Sequence, residues 1–412
     1  MLETHLRSPV TQRRLRSGPA ADYVDHFADW LCGHGYRPRS IEDQLRALAG
    51  WTDWMCGTGF TADDVLPALS TARAALEGQQ RVRYRRGINH ASLTAASLYI
   101  RFLQEHGVVP PHLTPSSPSD RWPMLGAFRS WMRQHRGLTE STLDVYQGIL
   151  AGLCEQLGDQ PGRYTAETLR AFVFDRARPH GIWRAKSIVV AVRALLRFLG
   201  ATGQSPSGME HAIPGFASWQ LSSSPRFLAP EDVERVIRSC DGQANELRDR
   251  AVILLLARLG LRASEVAGLI LTDIDWDNGR IAVCGKGRRQ EWLPLPQEVG
   301  TAIRRYLRNG RSPLPVSEVF TTVLAPFRPL TRASVTHIVR SALRRTRIKA
   351  PINGAHVLRH SAATAMLRQG ASLASVGAVL RHRSPQTTAH YAKVDFGLLS
   401  EIAQPWPQAS SC

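Results

Sequence analysis

The chain has 412 residues, with 52 Lys+Arg against 34 Asp+Glu, a formal net charge of +18 and a pI near 10.6. That length exceeds one ordinary core and predicts two or three domains, and a hydrophobic content of 43% excludes wholesale disorder. No apolar run approaches the ~18–20 residues of a membrane span, and six scattered cysteines without a C-x-x-C pair point to free thiols in a reducing cytosol. The basic excess points to a polyanion, most directly a nucleic acid.

The N-terminus carries Arg13, Arg14 and Arg16 with no apolar block behind them, so it does not read as a secretory signal. The first unit, residues 1–117, opens its repeat-like part on Phe27-x-x-Trp30 with His34 beyond. Ser40 stands where a helix N-cap is expected, and Thr61 is a second N-cap followed by acidic residues. An apolar helix around 98–107 closes the unit. A Pro/Ser-rich stretch, residues 110–118, then reads as a linker.

The second unit, residues 118–222 with its linker, repeats the order. Phe128-x-x-Trp131 is followed by His135, Ser141 takes the place of Ser40, Thr165 that of Thr61, and an apolar helix over 194–203 closes it. The two units read as a duplicated helical bundle. A second linker, residues 203–225, leads to the last segment, 223–412.

There, residues 230–240 and 245–259 read as helices, the second stopped by Gly260. Residues 274–283 and 291–296 have strand composition and flank a Gly/Arg turn, a predicted β-hairpin. Helices follow over 297–308, 331–346, 354–368, 372–380 and 384–392. The predicted fold is mainly α: two helical bundles, then a mixed α/β domain, mostly helical with a small antiparallel sheet. Dividing the charge near the linkers puts +1 on the first segment, +5 on the second and +12 on the third.

Four pieces of the third segment stand out: Leu259-Gly-Leu-Arg262-Ala-Ser-Glu265, Gly285-Lys286-Gly287-Arg288-Arg289, His356-Val-Leu-Arg359-His360, and Leu380-Arg381-His382-Arg383-Ser-Pro-Gln-Thr-Thr-Ala-His-Tyr391. Singly, each has an ordinary structural explanation. The Gly-Lys-Gly turn fails as a phosphate-binding P-loop, because its glycine spacing is wrong and no Ser/Thr follows Lys286. The chain has only four lysines, Lys186, Lys286, Lys349 and Lys393. Lysine can release a proton where arginine practically cannot, which singles out Lys286 in a tip already charged by two arginines. No carboxylate pair or Cys/His cluster suggests a metal or other cofactor.

In order and spacing together, these pieces resemble the tyrosine recombinase (phage integrase) family, whose signature is Arg…Lys…His-x-x-Arg…His/Trp…Tyr. His382 follows Arg359 by 23 residues and Tyr391 follows His382 by 9, as is typical of the family. The second unit resembles, more weakly, the family's core-binding (SAM-like) helical domain. The first unit lies outside the usual two-domain pattern. Two positions depart from the commonest text: Arg381 replaces a glycine, and Ala363 stands where a phenylalanine is frequent.

The resemblance implies a site-specific DNA recombinase or integrase that cuts and rejoins strands through a 3′-phosphotyrosyl intermediate and a Holliday junction, without metal or ATP. It implies Tyr391 as nucleophile, Arg262 and Arg359 as the phosphate clamp, and Lys286 as general acid. His356 is the expected base or hydrogen-bond partner of the tyrosine, and His382 positions it. Glu265 and His360 are expected to support these groups, and Arg288, Arg289, Arg381 and Arg383 to contact DNA. The implied partner is double-stranded DNA with specific sites, bound by a tetramer, with other recombinases or accessory proteins as further partners. The implied location is a prokaryotic cytoplasm, on the nucleoid, with no membrane partner. A catalytically silent DNA-binding protein of the same fold and a type IB-like topoisomerase are the alternatives.

Overall fold

The computed structural model describes residues 2–77, 88–110, 117–217, 226–242, 244–285, 290–382 and 384–394. Lys286, Arg288, Arg289, Arg383 and the tail beyond residue 394 lie outside the described residues. The chain forms two compact units: Met1–Val108 with Ser223–Cys412, and Val109–Ser222.

The N-terminal bundle and the second unit each contain a run of four helices in matching order. Val24–Gly33, Pro38–Gly57, Val65–Glu77 and His90–Glu105 in one correspond to Pro123–Arg136, Glu140–Leu157, Ala166–Ala177 and Ile182–Ala201 in the other. Their packing repeats as well. Phe27 and Trp30 meet Phe102 with ring centroids 5.6 and 6.0 Å apart, and Phe128 and Trp131 meet Phe198 at 5.8 Å each. The histidine four residues after each tryptophan lies against its ring, His34 on Trp30 and His135 on Trp131, as i,i+4 neighbours on a helix do.

Thr61 and Thr165 cap their helices as their sequence predicts, each in a capping box. Ser40 and Ser141 do not. The helix at Ser40 starts earlier, with Arg37 as N-cap and Pro38 in the first turn, where proline's fixed φ is pre-organised. At Ser141 the cap position falls on Thr139.

In the C-terminal segment, Ala244–Arg258 is the central helix, with residues 251–256 fully buried. It packs against Gln297–Asn309 and His356–Arg368. A helix apolar on so much of its circumference belongs inside a core. The expected strand over 274–283 is two strands. A turn around Gly279, at φ +59°, separates β1 (Ile274–Asp275) from β2 (Arg280–Cys284), and the Asn278 N–H donates to the Asp275 carboxylate at 3.0 Å. With β3 (Gln290–Pro294) they form a three-stranded antiparallel sheet in sequence order, Ile281 facing Ile274 on one side and Leu293 on the other. Ile281, Ala282 and Val283 are buried in its middle strand. Short helices Leu373–Val379 and Pro385–Ala389 and a final 3₁₀ turn, His390–Val394, close the described domain. Among the described residues, no helix is long and apolar enough to cross a membrane.

Candidate active site

The site forms where three chain segments meet. The first is the end of the central helix. Gly260 turns the chain at φ +59°, and a Cβ there would stand 2.5 Å from a Leu380 methyl. The chain then presents Arg262 as the N-cap of the short helix Ala263–Ala267. Arg262's N–H donates to Glu265 at 2.8 Å and its Nη1 to the other carboxylate oxygen at 2.5 Å.

The second segment is the helix His356–Arg368, which carries His356, Arg359 and His360. Arg359 is 4% exposed, and its two terminal nitrogens donate to the carbonyls of Gly260 and Leu380. It thereby ties the Arg262 turn to the segment that precedes His382. Burial, followed by the nearby Arg262 charge, pushes its guanidinium down to about 10. It remains a cation at neutral pH. Two of its five N–H donors go to these carbonyls, leaving three for a ligand.

The third segment, Leu380 to Tyr391, brings His382 and the tyrosine. Tyr391 is 2% exposed, and burial pushes its hydroxyl up to about 12. His360 Nδ1 lies 2.6 Å from that hydroxyl. Burial first, then the neighbouring His356, pushes His360 down to about 4. His382, also pushed to about 4 by burial and by Arg359, is held by a 2.8 Å hydrogen bond between its Nδ1 and the Thr388 hydroxyl. Its ring lies parallel to that of Tyr391, centroids 6.4 Å apart. Two neutral imidazoles therefore flank a protonated phenol, with two arginines alongside.

The fold thus brings together Arg262, Glu265, His356, Arg359, His360, His382 and Tyr391 from 130 residues of chain. Lys286, Arg288 and Arg289 belong to the stretch between β2, which ends at Cys284, and β3, which begins at Gln290. Of the expected DNA contacts, Arg381 is placed otherwise. Its side chain is 3% exposed and ion-paired with Glu265 at 2.7 Å, so burial removes it from a duplex surface. The partner on the tyrosine oxygen is His360, one helical turn beyond the expected His356, whose ring lies 5.6 Å from that of His360. The i,i+4 spacing of the two histidines carried that possibility. Thr388 was not singled out by its sequence, since a threonine in a polar run carries no signal of its own.

Comparison with known proteins shows the family and the fold. Residues 226–397 match the phage integrase family. The chain is 37% identical over 399 residues, 95% of each chain, to y4rA of Sinorhizobium fredii, which bears an integrase/recombinase name. It is 34% identical over 280 residues to the tyrosine recombinase XerD of Halalkalibacterium halodurans, covering 66% of this chain and 92% of that one. Among solved structures, it resembles the XerH site-specific recombinase bound to a palindromic difH substrate in a post-cleavage complex, with a TM-score of 0.54 and 20% identity over 67% of this chain and 83% of that one. A lambda integrase dimer bound to a COC′ core site gives a TM-score of 0.52 at 16% identity, over 70% and 98%.

Proposed function

The chain belongs to the phage integrase (tyrosine recombinase) family, and on that premise we propose that it cuts and rejoins DNA strands with Tyr391 as its nucleophile. As a member it is a DNA-cleaving, site-specific recombinase. The observation that carries the finer reading is the hydrogen bond between Tyr391 and His360 beside Arg262 and Arg359.

The phenol is protonated at neutral pH, so its proton must leave as the oxygen attacks. Neutral His360 is within hydrogen-bond reach to accept it, as a general base must be. The Tyr391 oxygen forms a bond to the scissile phosphorus, the bond to the 5′-oxygen breaks, and the strand is held as a 3′-phosphotyrosyl ester. The leaving 5′-oxygen takes a proton, for which Lys286 is the candidate donor. Negative charge grows on the non-bridging oxygens in the transition state, where forked guanidinium donors stabilise it most. Loss of one such donor costs about 3–4 kcal/mol by analogy with an oxyanion hole. His382 packs parallel to the nucleophile and helps orient it. Rejoining runs the same steps in reverse with a 5′-hydroxyl from a partner strand. Two pairs of protomers acting in turn through a Holliday junction complete the exchange, so the working assembly on DNA is a tetramer.

A suicide duplex, nicked so that the released fragment diffuses away, tests this reading. The wild-type protein should form an SDS-resistant adduct on its cognate site, and Tyr391→Phe should form none. An adduct with Tyr391→Phe, or none with the wild type, overturns it.

A further inference from the structure

Arg381 is the residue of this site whose local conformation argues most against its presence. It is the left-handed residue that ends the helix Leu373–Val379, at φ +54°. Its N–H donates to the Ala378 carbonyl at 2.9 Å, and the N–H of His382 donates to Gly377 at 2.9 Å. That is a Schellman closure, whose left-handed position is normally glycine because a Cβ is strained there. The side chain is buried and charged as well, and its Nε makes no hydrogen bond among the described residues. A residue that breaks two local rules points to a compensating gain.

The gain lies in what its two ends hold. Glu265 is buried and has two carboxylate oxygens. One pairs with Arg262 Nη1, and the other pairs with Arg381 Nη2 and also receives the Arg262 N–H. The main-chain carbonyl of Arg381 accepts from Arg262 Nη2 at 3.2 Å. Arg381 thus grips Arg262 directly through its backbone and indirectly through Glu265. An isolated Arg262–Glu265 pair would be neutral, a poor partner for a phosphate. With Arg381 included, the cluster carries a net positive charge, and the other two members fix the direction of Arg262.

We propose that Arg381 is a positioning residue for strand cleavage: it neutralises Glu265, so that Arg262 meets the scissile phosphate with undiminished charge and a fixed orientation. This rests on the reading of Arg262 as a phosphate clamp. It assigns Arg381 no contact with DNA.

The test compares wild type and Arg381→Gly, glycine being the residue that suits the backbone at this position. On a nicked suicide duplex at saturating DNA, the variant should cleave roughly 10- to 100-fold more slowly, the scale of a misplaced clamp, while affinity for the site stays within about twofold of wild type, since no phosphate contact is lost. On a duplex whose scissile phosphate is a methylphosphonate, the charge that Arg262 answers is gone, and the two proteins should cleave at similar rates. Arg381→Lys, which keeps a charge beside Glu265, should recover most of the rate. If Arg381→Gly folds poorly by thermal melting, Arg381→Gln replaces it with the same expectations. Wild-type cleavage rates from the neutral variant, an equal deficit on both substrates, or a folded Arg381→Lys as slow as the neutral variant would overturn the proposal. Absence of any wild-type adduct would instead overturn the assignment of the nucleophile.

Discussion

His360 and His382 are held neutral by burial, and that has a cost with a definite sign. Burial first, then His356 beside His360 and Arg359 beside His382, pushes both from the ordinary 6.5 to about 4. Between those values the unfolded chain binds more protons than the folded one, so stability rises with pH in that window. The contribution of these rings is complete above about 6.5 and is lost as the pH falls towards 4, with a limiting slope near 1.4 kcal/mol per pH unit for each ring. Urea unfolding at pH 7 and pH 5.5 should therefore show a loss of stability on acidification, smaller in the double variant His360→Gln, His382→Gln. An identical loss in both proteins contradicts the account. The fold brings Arg262, Arg359, His382 and Tyr391 together. Much of the candidate site at this scale was legible through the family resemblance, whose signature names these residue types in order. Two assignments were not. His356 and His360 share a helix face, and only the fold decides which reaches Tyr391. Arg381 looked like one more surface cation, because a sequence does not show that the left-handed end of a helix points its side chain at a buried carboxylate.

Among the elements, the joint between the central helix and the Arg262 turn is the most demanding. Gly260 supplies a left-handed residue, its carbonyl accepts from Arg359, and buried Leu380 occupies the space of a Cβ. Gly260→Ala would meet both the left-handed penalty, roughly 1–2 kcal/mol, and a methyl of buried Leu380 2.5 Å from the new Cβ. We expect a loss of about 2–3 kcal/mol in denaturant unfolding, together with slower cleavage, because Arg262 and Arg359 are both tied to this turn. Unchanged stability would show that Leu380 yields and that the joint is less constrained than its packing indicates. Helix positions elsewhere were readable from apolar periodicity. The strand break at 276–279 was not, since β-favouring residues on both sides masked a turn set by Asp275, Asn278 and Gly279. The N-caps fall on Arg37 and Thr139 instead of Ser40 and Ser141, the first because Pro38 pre-organises an earlier first turn.

For the whole molecule, an additional N-terminal helical bundle resembling the second is the feature that the usual two-domain plan lacks. Both copies keep the same aromatic cluster, yet their charge differs: the first segment carries +1 and the second +5. Since affinity for duplex rests largely on phosphate neutralisation, the near-neutral copy is expected to bind DNA more weakly. Removal of residues 1–117 should impair pairing of two sites more than binding to one, as read by gel shift against a synapsis assay. An equal loss in both would assign that bundle to DNA binding instead. The +12 on the C-terminal segment includes Arg262 and Arg359, so on the proposed mechanism part of what first reads as bulk attraction to DNA belongs to the phosphate clamp.

The central claim, that Tyr391 takes the DNA strand, is open to direct chemical mapping. Trapped covalent complex, digested with protease and analysed by mass spectrometry, should place the nucleotide on the peptide containing Tyr391, through a phosphate ester on its phenol oxygen. Nucleotide carried by any other residue would contradict the account.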